Sequence, residues 1–182
     1  MSEWVDIENT CVDLIAYLFP TLKCVIAYQN NQELPTPYCV INLLEMDSVT
    51  RESTSTFMTT FEQDGDESEG VSVTEQYEAT VKFQFMGIDG SENLSAGYCR
   101  KLSTMLQTHS VIDFLNTRGI AFRRKSSFVR RPRFRDTKWY NSYELEVTLG
   151  IEIQTNIVVG SIDTVDITLN SGGTNTIDIS LD

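Results

Sequence analysis

Two long stretches of the chain alternate between apolar and polar residues. In residues 139–154 the odd positions are mostly apolar, whereas the even positions carry acidic and polar side chains such as Glu144 and Glu146. Residues 71–86 repeat the pattern. Successive side chains of a strand point to opposite faces, so each stretch predicts a long amphipathic β-strand with one face in the core.

The two faces of residues 139–154 predict different surroundings for their side chains. We expect Trp139 and Tyr143 to be core aromatics on the apolar face. We expect Glu144 and Glu146 to lie on an exposed acidic wall. Such a wall lacks the apolar pocket that acid–base catalysis by paired carboxyl groups requires.

Three other segments have the three- and four-residue apolar spacing of an amphipathic helix. The first covers residues 3–19, and the second ends near residue 107. The third begins near Ser110, which forms a capping-box variant with Asp113. It ends before Gly119, a residue suited to a left-handed C-cap.

The order of these elements predicts an α+β fold. Helices and strands are clustered and do not alternate as in βαβ units, so we expect a mostly antiparallel sheet with long amphipathic strands packed against two or three helices. We predict that residues 1–155 form this domain.

Residues 156–182 have a different composition, with no Lys, Arg or aromatic residue. Two alternating apolar runs flank the turn residues NSGGTN, which predicts a C-terminal β-hairpin extension. An isolated hairpin is marginally stable in water, so we expect it to lie on its own domain or on a neighbour. Its candidate interface residues are Ile162, Val165, Ile167, Leu169, Ile177, Ile179 and Leu181.

Charge is unevenly distributed along a chain of 182 residues with a net charge of −12. Residues 118–138 are strongly basic; we expect residues 120–128 to resume β-structure and to lead through a basic loop to the last long strand. The candidate interface cations of this basic loop are Arg123, Arg124, Lys125, Arg130, Arg131, Arg133, Arg135 and Lys138. An exposed acidic loop offers Asp64, Asp66, Glu67 and Glu69. Such separated charges allow copies of the chain to stack acidic surface against basic loop.

Motifs for catalysis, metal binding or membrane insertion are missing from the sequence. Asp64 and Asp66 faintly resemble a calcium loop, but Glu69 stands where that loop requires glycine. We expect the single histidine, His109, to lie at the surface or at a helix cap. The four cysteines lack CxxC spacing and lie in apolar segments, which indicates buried, reduced thiols and a reducing cytoplasm. We therefore predict a protein without enzymatic activity, cofactor, metal, signal peptide or membrane span.

The basic loop also fits an alternative function. Its cations are interleaved with Phe122, Phe128, Phe134 and Trp139, as in grooves that bind single-stranded nucleic acid. Against this, a protein with pI ≈ 4.4 repels a polyanion overall. A nucleic-acid-binding accessory protein therefore remains the alternative, and contact with an acidic protein surface is the favoured role of the loop.

Four segments of the sequence resemble the neck or tail terminator proteins of long-tailed bacteriophages. They are LPTPYCVINLL (34–44), VTEQYEATVKFQFMG (73–87), VIDFLNTRGIAF (111–122) and DTKWYNSYELEVTLGIEI (136–153). The resemblance covers about residues 3–155.

The resemblance implies a structural virion protein at the top of the tail, without enzymatic activity or cofactor, that assembles in the host cytoplasm into a hexameric ring. Such a ring caps the tail tube and joins it to the head connector. The implied partners are further copies, the tail-tube protein, connector or adaptor proteins, and the sheath if the tail is contractile. Packaged DNA would pass through the ring without specific binding.

Overall fold

A computed structural model describes residues 3–28, 34–49, 55–63, 66–88, 94–135 and 137–158. The elements in chain order are α1 (Glu3–Leu18), β1 (Lys23–Ile26), β2 (Tyr38–Ser48), β3 (Ser55–Gln63), β4 (Asp66–Ile88), α2 (Leu94–Met105), α3 (His109–Asn116), β5 (Ile120–Lys125), β6 (Val129–Arg130), β7 (Arg133–Arg135) and β8 (Lys138–Val158). The predicted α+β class with a mostly antiparallel sheet is confirmed. The candidate interface residues of the C-terminal hairpin, Ile162, Val165, Ile167, Leu169, Ile177, Ile179 and Leu181, lie outside the described residues.

The chain divides into two compact units. The first comprises Met1–Ser53 and Glu75–Ile153, and its strands follow the order β1-β2-β4-β8-β5, with β6 and β7 paired to β8. Only the β1–β2 pair is parallel among the registers described; the others are antiparallel. The second unit comprises Thr54–Thr74 and Gln154–Asp182, and within it β3 pairs with the start of β4. The predicted division into 1–155 and 156–182 stays a prediction.

The core of the first unit lies between the three helices and one face of its sheet. Buried side chains of α1, α2 and α3 pack with the odd-numbered residues of the long strands, as the alternation predicts. The strand residues in this core are Cys39, Ile41, Ala79, Val81, Phe83, Phe85, Leu145, Val147 and Leu149. Near the end of α1, Phe19 packs edge-on against Phe85 and Tyr98, with ring centroids 6.2 Å and 5.1 Å apart. These aromatic contacts join α1, β4 and α2.

The acidic segment is a strand pair and not the loop that we predicted. Asp66, Glu67 and Glu69 belong to β4, where they lie opposite Gln63, Glu62 and Thr60 of β3 in the antiparallel register. Asp64 lies outside the described residues. The Asp-Gly dipeptide at 64–65 is a typical two-residue hairpin signal, and strand pairing supplies hydrogen bonds that a polar loop would have taken from water.

The basic segment is also largely strand: β5 agrees with the β-structure predicted for residues 120–128, whereas the loop prediction is wrong at β6 and β7. Strands β5, β6 and β7 all pair with β8. Pairing with β8 gives backbone groups of β6 and β7 hydrogen-bond partners, which the local sequence, rich in Arg and Pro, does not indicate. The basic segment therefore lies against the sheet.

The ends of α3 confirm one prediction and correct another. Gly119 has a φ of 71°, the left-handed conformation expected after a helix. The N-cap is Thr108 and not Ser110, and its side chain makes no capping hydrogen bond to α3. The Thr108 hydroxyl donates instead to the Met105 carbonyl oxygen at 2.6 Å, because α2 ends immediately before α3.

All four cysteines are free thiols, as predicted. Cys24 and Cys39 lie opposite each other on the parallel strands β1 and β2. Burial raises the pKa of Cys39 and Cys11 far above the usual thiol range, and it raises the pKa of Cys99 to about 12. These three thiols stay protonated at neutral pH and act as small apolar core residues.

Candidate assembly surface

The outer face of the sheet, opposite the helices, carries polar side chains that are nevertheless buried. They come from neighbouring strands β4 and β8 and are Gln84, Ser142, Glu144 and Thr148. The expected exposed acidic wall is therefore wrong at Glu144, which is only 6% exposed, whereas Glu146 is exposed as predicted. A buried carboxylate needs charged or hydrogen-bonding partners, and the preceding basic segment provides them.

The Glu144 carboxylate forms ion pairs with two arginines and accepts a hydrogen bond from one amide. The Arg131 Nε lies 3.2 Å from one carboxylate oxygen, and an Arg133 Nη lies 3.3 Å from the other. The Gln84 amide donates to the same carboxylate at 3.0 Å and to the Ser142 hydroxyl at 2.8 Å. Glu144 therefore connects the basic segment to the middle of the sheet.

Residues 126–135, called here the arginine-rich arm, are attached to β8 at further points. Arg130 donates to the Asn141 side-chain oxygen at 2.7 Å and 3.2 Å. The Arg131 N–H donates to the Ser142 carbonyl oxygen at 2.8 Å. The Ser126 N–H donates to the Glu146 carbonyl oxygen at 2.8 Å. Backbone and side-chain bonds together fix the arm along the strand.

The cations before the arm also contact their own chain. Arg124 donates to the Thr148 hydroxyl at 3.2 Å and lies 3.6 Å from a Glu78 carboxylate oxygen. Lys125 donates to the Ser103 carbonyl oxygen. The Arg123 guanidinium group lies over Gly150 of β8, in the space that a Cβ there would occupy. The side chains of Arg135 and Lys138 lie outside the described residues.

These contacts fix the cations without hiding them. The side chains of Arg124, Arg131 and Arg133 remain 74%, 65% and 54% exposed. Arg130, Arg131 and Arg133 carry three positive charges around the single carboxylate of Glu144, so the arm presents excess positive charge. The surface can therefore attract an acidic protein surface while its geometry is already ordered.

Aromatic side chains lie beside the arm. Phe134 and Trp139 contact each other at a centroid distance of 5.2 Å and remain largely exposed. Phe128 packs against Tyr143 at 6.4 Å. The prediction that Trp139 is a core residue is wrong: its side chain is 56% exposed and does not belong to the core cluster, and it contacts Phe134, its register partner on the short strand β7. Tyr143 packs partly against the core, as expected.

A groove of 460 Å³ lies on the outer sheet face between β2, β4 and the arm. Its apolar and aromatic lining consists of Ala27, Tyr28, Tyr38, Val40, Met86 and Phe134. Its polar lining consists of Asn42, Lys82, Gln84 and Arg133. No carboxylate lines it within the part of the chain that the structure describes. A groove of this size and composition suits a few side chains of a partner.

We also searched the described residues for a metal-binding cluster and for a membrane-spanning helix. No group of three or more His, Cys, Asp and Glu among the described residues could hold a metal ion. No helix in the same ranges is long and apolar enough to span a membrane. His109 lies on the surface, as predicted, 3.4 Å from Asp113 one turn later.

Sequence reasoning identified the arginines of this surface but not the residues that order them. Glu144 was assigned to solvent, and Gln84 and Asn141 were not considered. The sequence contains a usable signal: Asn141, Ser142 and Glu144 are three polar residues within four positions of β8, shortly after an arginine-rich segment. Buried polar groups require partners, so adjacent arginines are their expected ligands.

The chain was also compared with known proteins. A family model described as phage neck terminator protein matches residues 4–174. The match extends beyond residue 155, where the resemblance seen in the sequence ends. No curated protein matches the chain.

Proposed function

Because the chain belongs to the phage neck terminator protein family, we propose that it forms a ring that closes the tail tube and joins it to the head connector. The family membership makes the protein a structural component of the virion at the head–tail junction, where it interacts with other head and tail proteins. The proposed ring is a hexamer of this chain, assembled in the host cytoplasm. Its partners are the tail-tube protein, the connector or adaptor proteins, and the sheath if the tail is contractile.

The observation that carries this proposal is the arginine-rich arm, fixed by buried Glu144 and still exposing its guanidinium groups. A closed ring needs two different, complementary surfaces on each subunit, so that each contact repeats from one copy to the next. The arm supplies the positive surface. The acidic hairpin of β3 and β4, with Glu62, Asp66, Glu67 and Glu69 near its turn, supplies a negative one. We assign the first to one copy and the second to its neighbour.

Native mass spectrometry of the full chain tests the proposal, first alone and then with the tail-tube protein. We expect six copies in at least one of the two samples. A monomer in both would overturn the ring. Binding to single-stranded DNA that falls by roughly 10³-fold between low and moderate salt would instead support the nucleic-acid-binding alternative, whose best feature is the exposed Phe134–Trp139 pair beside the arm.

The contribution of the arm is measured with a variant that removes its charges without leaving Glu144 unpaired. Arg130, Arg131, Arg133 and Arg135 are replaced by Ser, together with Glu144→Gln. We expect the subunit concentration needed for ring formation to rise by about tenfold or more, because electrostatic attraction to the neighbour is lost. The double variant Lys23→Ser, Arg100→Ser removes exposed cations elsewhere and serves as the control. Equal assembly of all three proteins would remove the arm from the interface.

A further inference from the structure

The groove on the outer sheet face has one cation that no partner in the described chain neutralises. Arg133 at its edge is paired with Glu144. Lys82 lies in the second half of β4, opposite Asn42 of β2, and is half-buried. It makes no hydrogen bond or ion pair with any described residue. A half-buried ammonium group without a counterion favours a ligand that brings a carboxylate.

The apolar lining of the groove favours a ligand that also carries apolar groups. Tyr28, Phe134 and Met86 line it, and Tyr28 is 94% exposed at the rim. Tyr28 also has a φ of 62°, an unfavourable conformation for a residue with a bulky side chain. The ligand must therefore combine aliphatic side chains with acidic ones.

Residues 159–182 of this chain have that composition. They contain Asp163, Asp166, Asp178 and Asp182 and no Lys or Arg, and the aspartates alternate closely with Ile, Val and Leu. An extended segment such as 177–182 presents aliphatic residues on one side and Asp178 on the other. The acidic hairpin turn around residues 62–69 is a poorer ligand, because it carries carboxylates but no aliphatic side chain.

The segment is also long enough to reach another subunit. β8 ends at Val158, and residues 159–182 span at most about 80 Å when extended, at about 3.4 Å per residue. In a closed ring, each copy that donates a segment also receives one, so every groove is filled by a repeated contact. A segment bound in its own groove would contribute nothing to the link between copies.

We propose that the groove lined by Lys82, Tyr28 and Phe134 binds residues 159–182 of a second copy of this chain. The aspartates of the segment pair with Lys82, and its aliphatic residues pack on the aromatic walls. The inference rests on the ring proposed above and adds to it a second contact, between the groove and residues 159–182, beside the contact between the arm and the acidic hairpin. The donated segment links neighbouring subunits after the charged surfaces have brought them together.

Photo-crosslinking of the full-length protein tests this contact. Phe134, which is 61% exposed, is replaced by benzoylphenylalanine, and ¹⁴N and ¹⁵N copies are mixed before ring assembly. Cleavage after Glu leaves residues 153–182 as one peptide, because no Glu follows Glu152. We expect adducts that join the peptide containing residue 134 in one isotope to peptide 153–182 in the other.

Charge reversal at Lys82 provides the second measurement. Lys82→Glu should lower the yield of mixed-isotope adducts by about tenfold, because attraction to the aspartates becomes repulsion. Arg100→Glu on the exposed side of α2 makes the same charge change and should leave the yield unchanged.

The remaining outcomes distinguish this inference from the ring itself. A six-copy ring that gives no mixed-isotope adduct, adducts within one copy only, or adducts to the acidic hairpin without any to peptide 153–182 would overturn the docking of residues 159–182 and leave the ring intact. A yield that is insensitive to Lys82→Glu would also overturn it. Failure of the unsubstituted protein to form a ring, read separately by native mass spectrometry, would overturn the proposed function and the docking together.

Discussion

Replacing Phe85 by alanine is expected to lower the free energy of unfolding by about 3–5 kcal/mol. Phe85 is 1% exposed near the end of β4, and its ring stacks on Tyr98 of α2 at a centroid distance of 6.3 Å. It also contacts Phe19 at the end of α1 edge-on. The truncation removes the buried ring and leaves a cavity between three elements that cannot all collapse into it.

Urea unfolding followed by circular dichroism measures this effect. A domain of this kind has a total stability of about 5–15 kcal/mol, so the loss is large enough to unfold a fraction of the molecules in water. Phe134→Ala makes the same chemical change at a largely exposed site and is expected to cost less than about 1 kcal/mol. Equal losses for the two variants would contradict the placement of Phe85 in the core.

Replacing Glu144 by alanine is the second substitution with a large expected effect, a loss of about 2–3 kcal/mol of folding stability. The carboxylate is nearly buried and accepts from Arg131, Arg133 and Gln84. Its removal leaves two like charges facing each other and a buried amide with one partner fewer. Because both arginines are more than half exposed, water screens their repulsion, and the loss stays below that of a fully buried pair.

Glu146→Ala is the matched control for Glu144→Ala. Glu146 is the same residue type on the same face of β8, but it is exposed and should change stability by less than about 0.5 kcal/mol. Glu144→Gln should fall between the two, because it keeps a hydrogen-bonding side chain and loses the charge. Hydrogen exchange of the arm amides should rise in Glu144→Ala, and unchanged protection there would refute the role of Glu144 as its anchor.

The role of Glu144 connects stability with the proposed assembly. An arm that is ordered before binding loses less conformational entropy at the interface than a free basic loop would. Glu144→Ala is therefore expected to weaken the ring even though it makes the chain less acidic. If only the net charge mattered, the loss of an acidic residue would strengthen binding to an acidic neighbour, which is the opposite of the effect expected here.

The sequence by itself determined the long strands, the three helices and the residues that form the core. Alternation over 71–86 and 139–154 has a period of two, and it identifies which residues share a face whatever that face contacts. The odd residues from Ala79 to Phe85 and from Leu145 to Leu149 are buried against the helices as this pattern predicts, whereas Trp139 at the start of β8 is not. Local chemistry was sufficient for Gly119 as well, because few other residues adopt a positive φ without strain.

Only the tertiary structure decided what covers the other face. Periodicity cannot tell whether a polar face meets water or another strand, because that depends on contacts between residues far apart in the chain. Glu144 is buried by Arg131 and Arg133 of the arm and by Gln84, which lies 60 positions earlier. The pairing of β6 and β7 with β8 likewise follows from unpaired backbone groups that the long strand offers, and not from strand propensity in an arginine-rich segment. For this reason the sequence identified the charges of the surface, and the fold decided which of them are anchored.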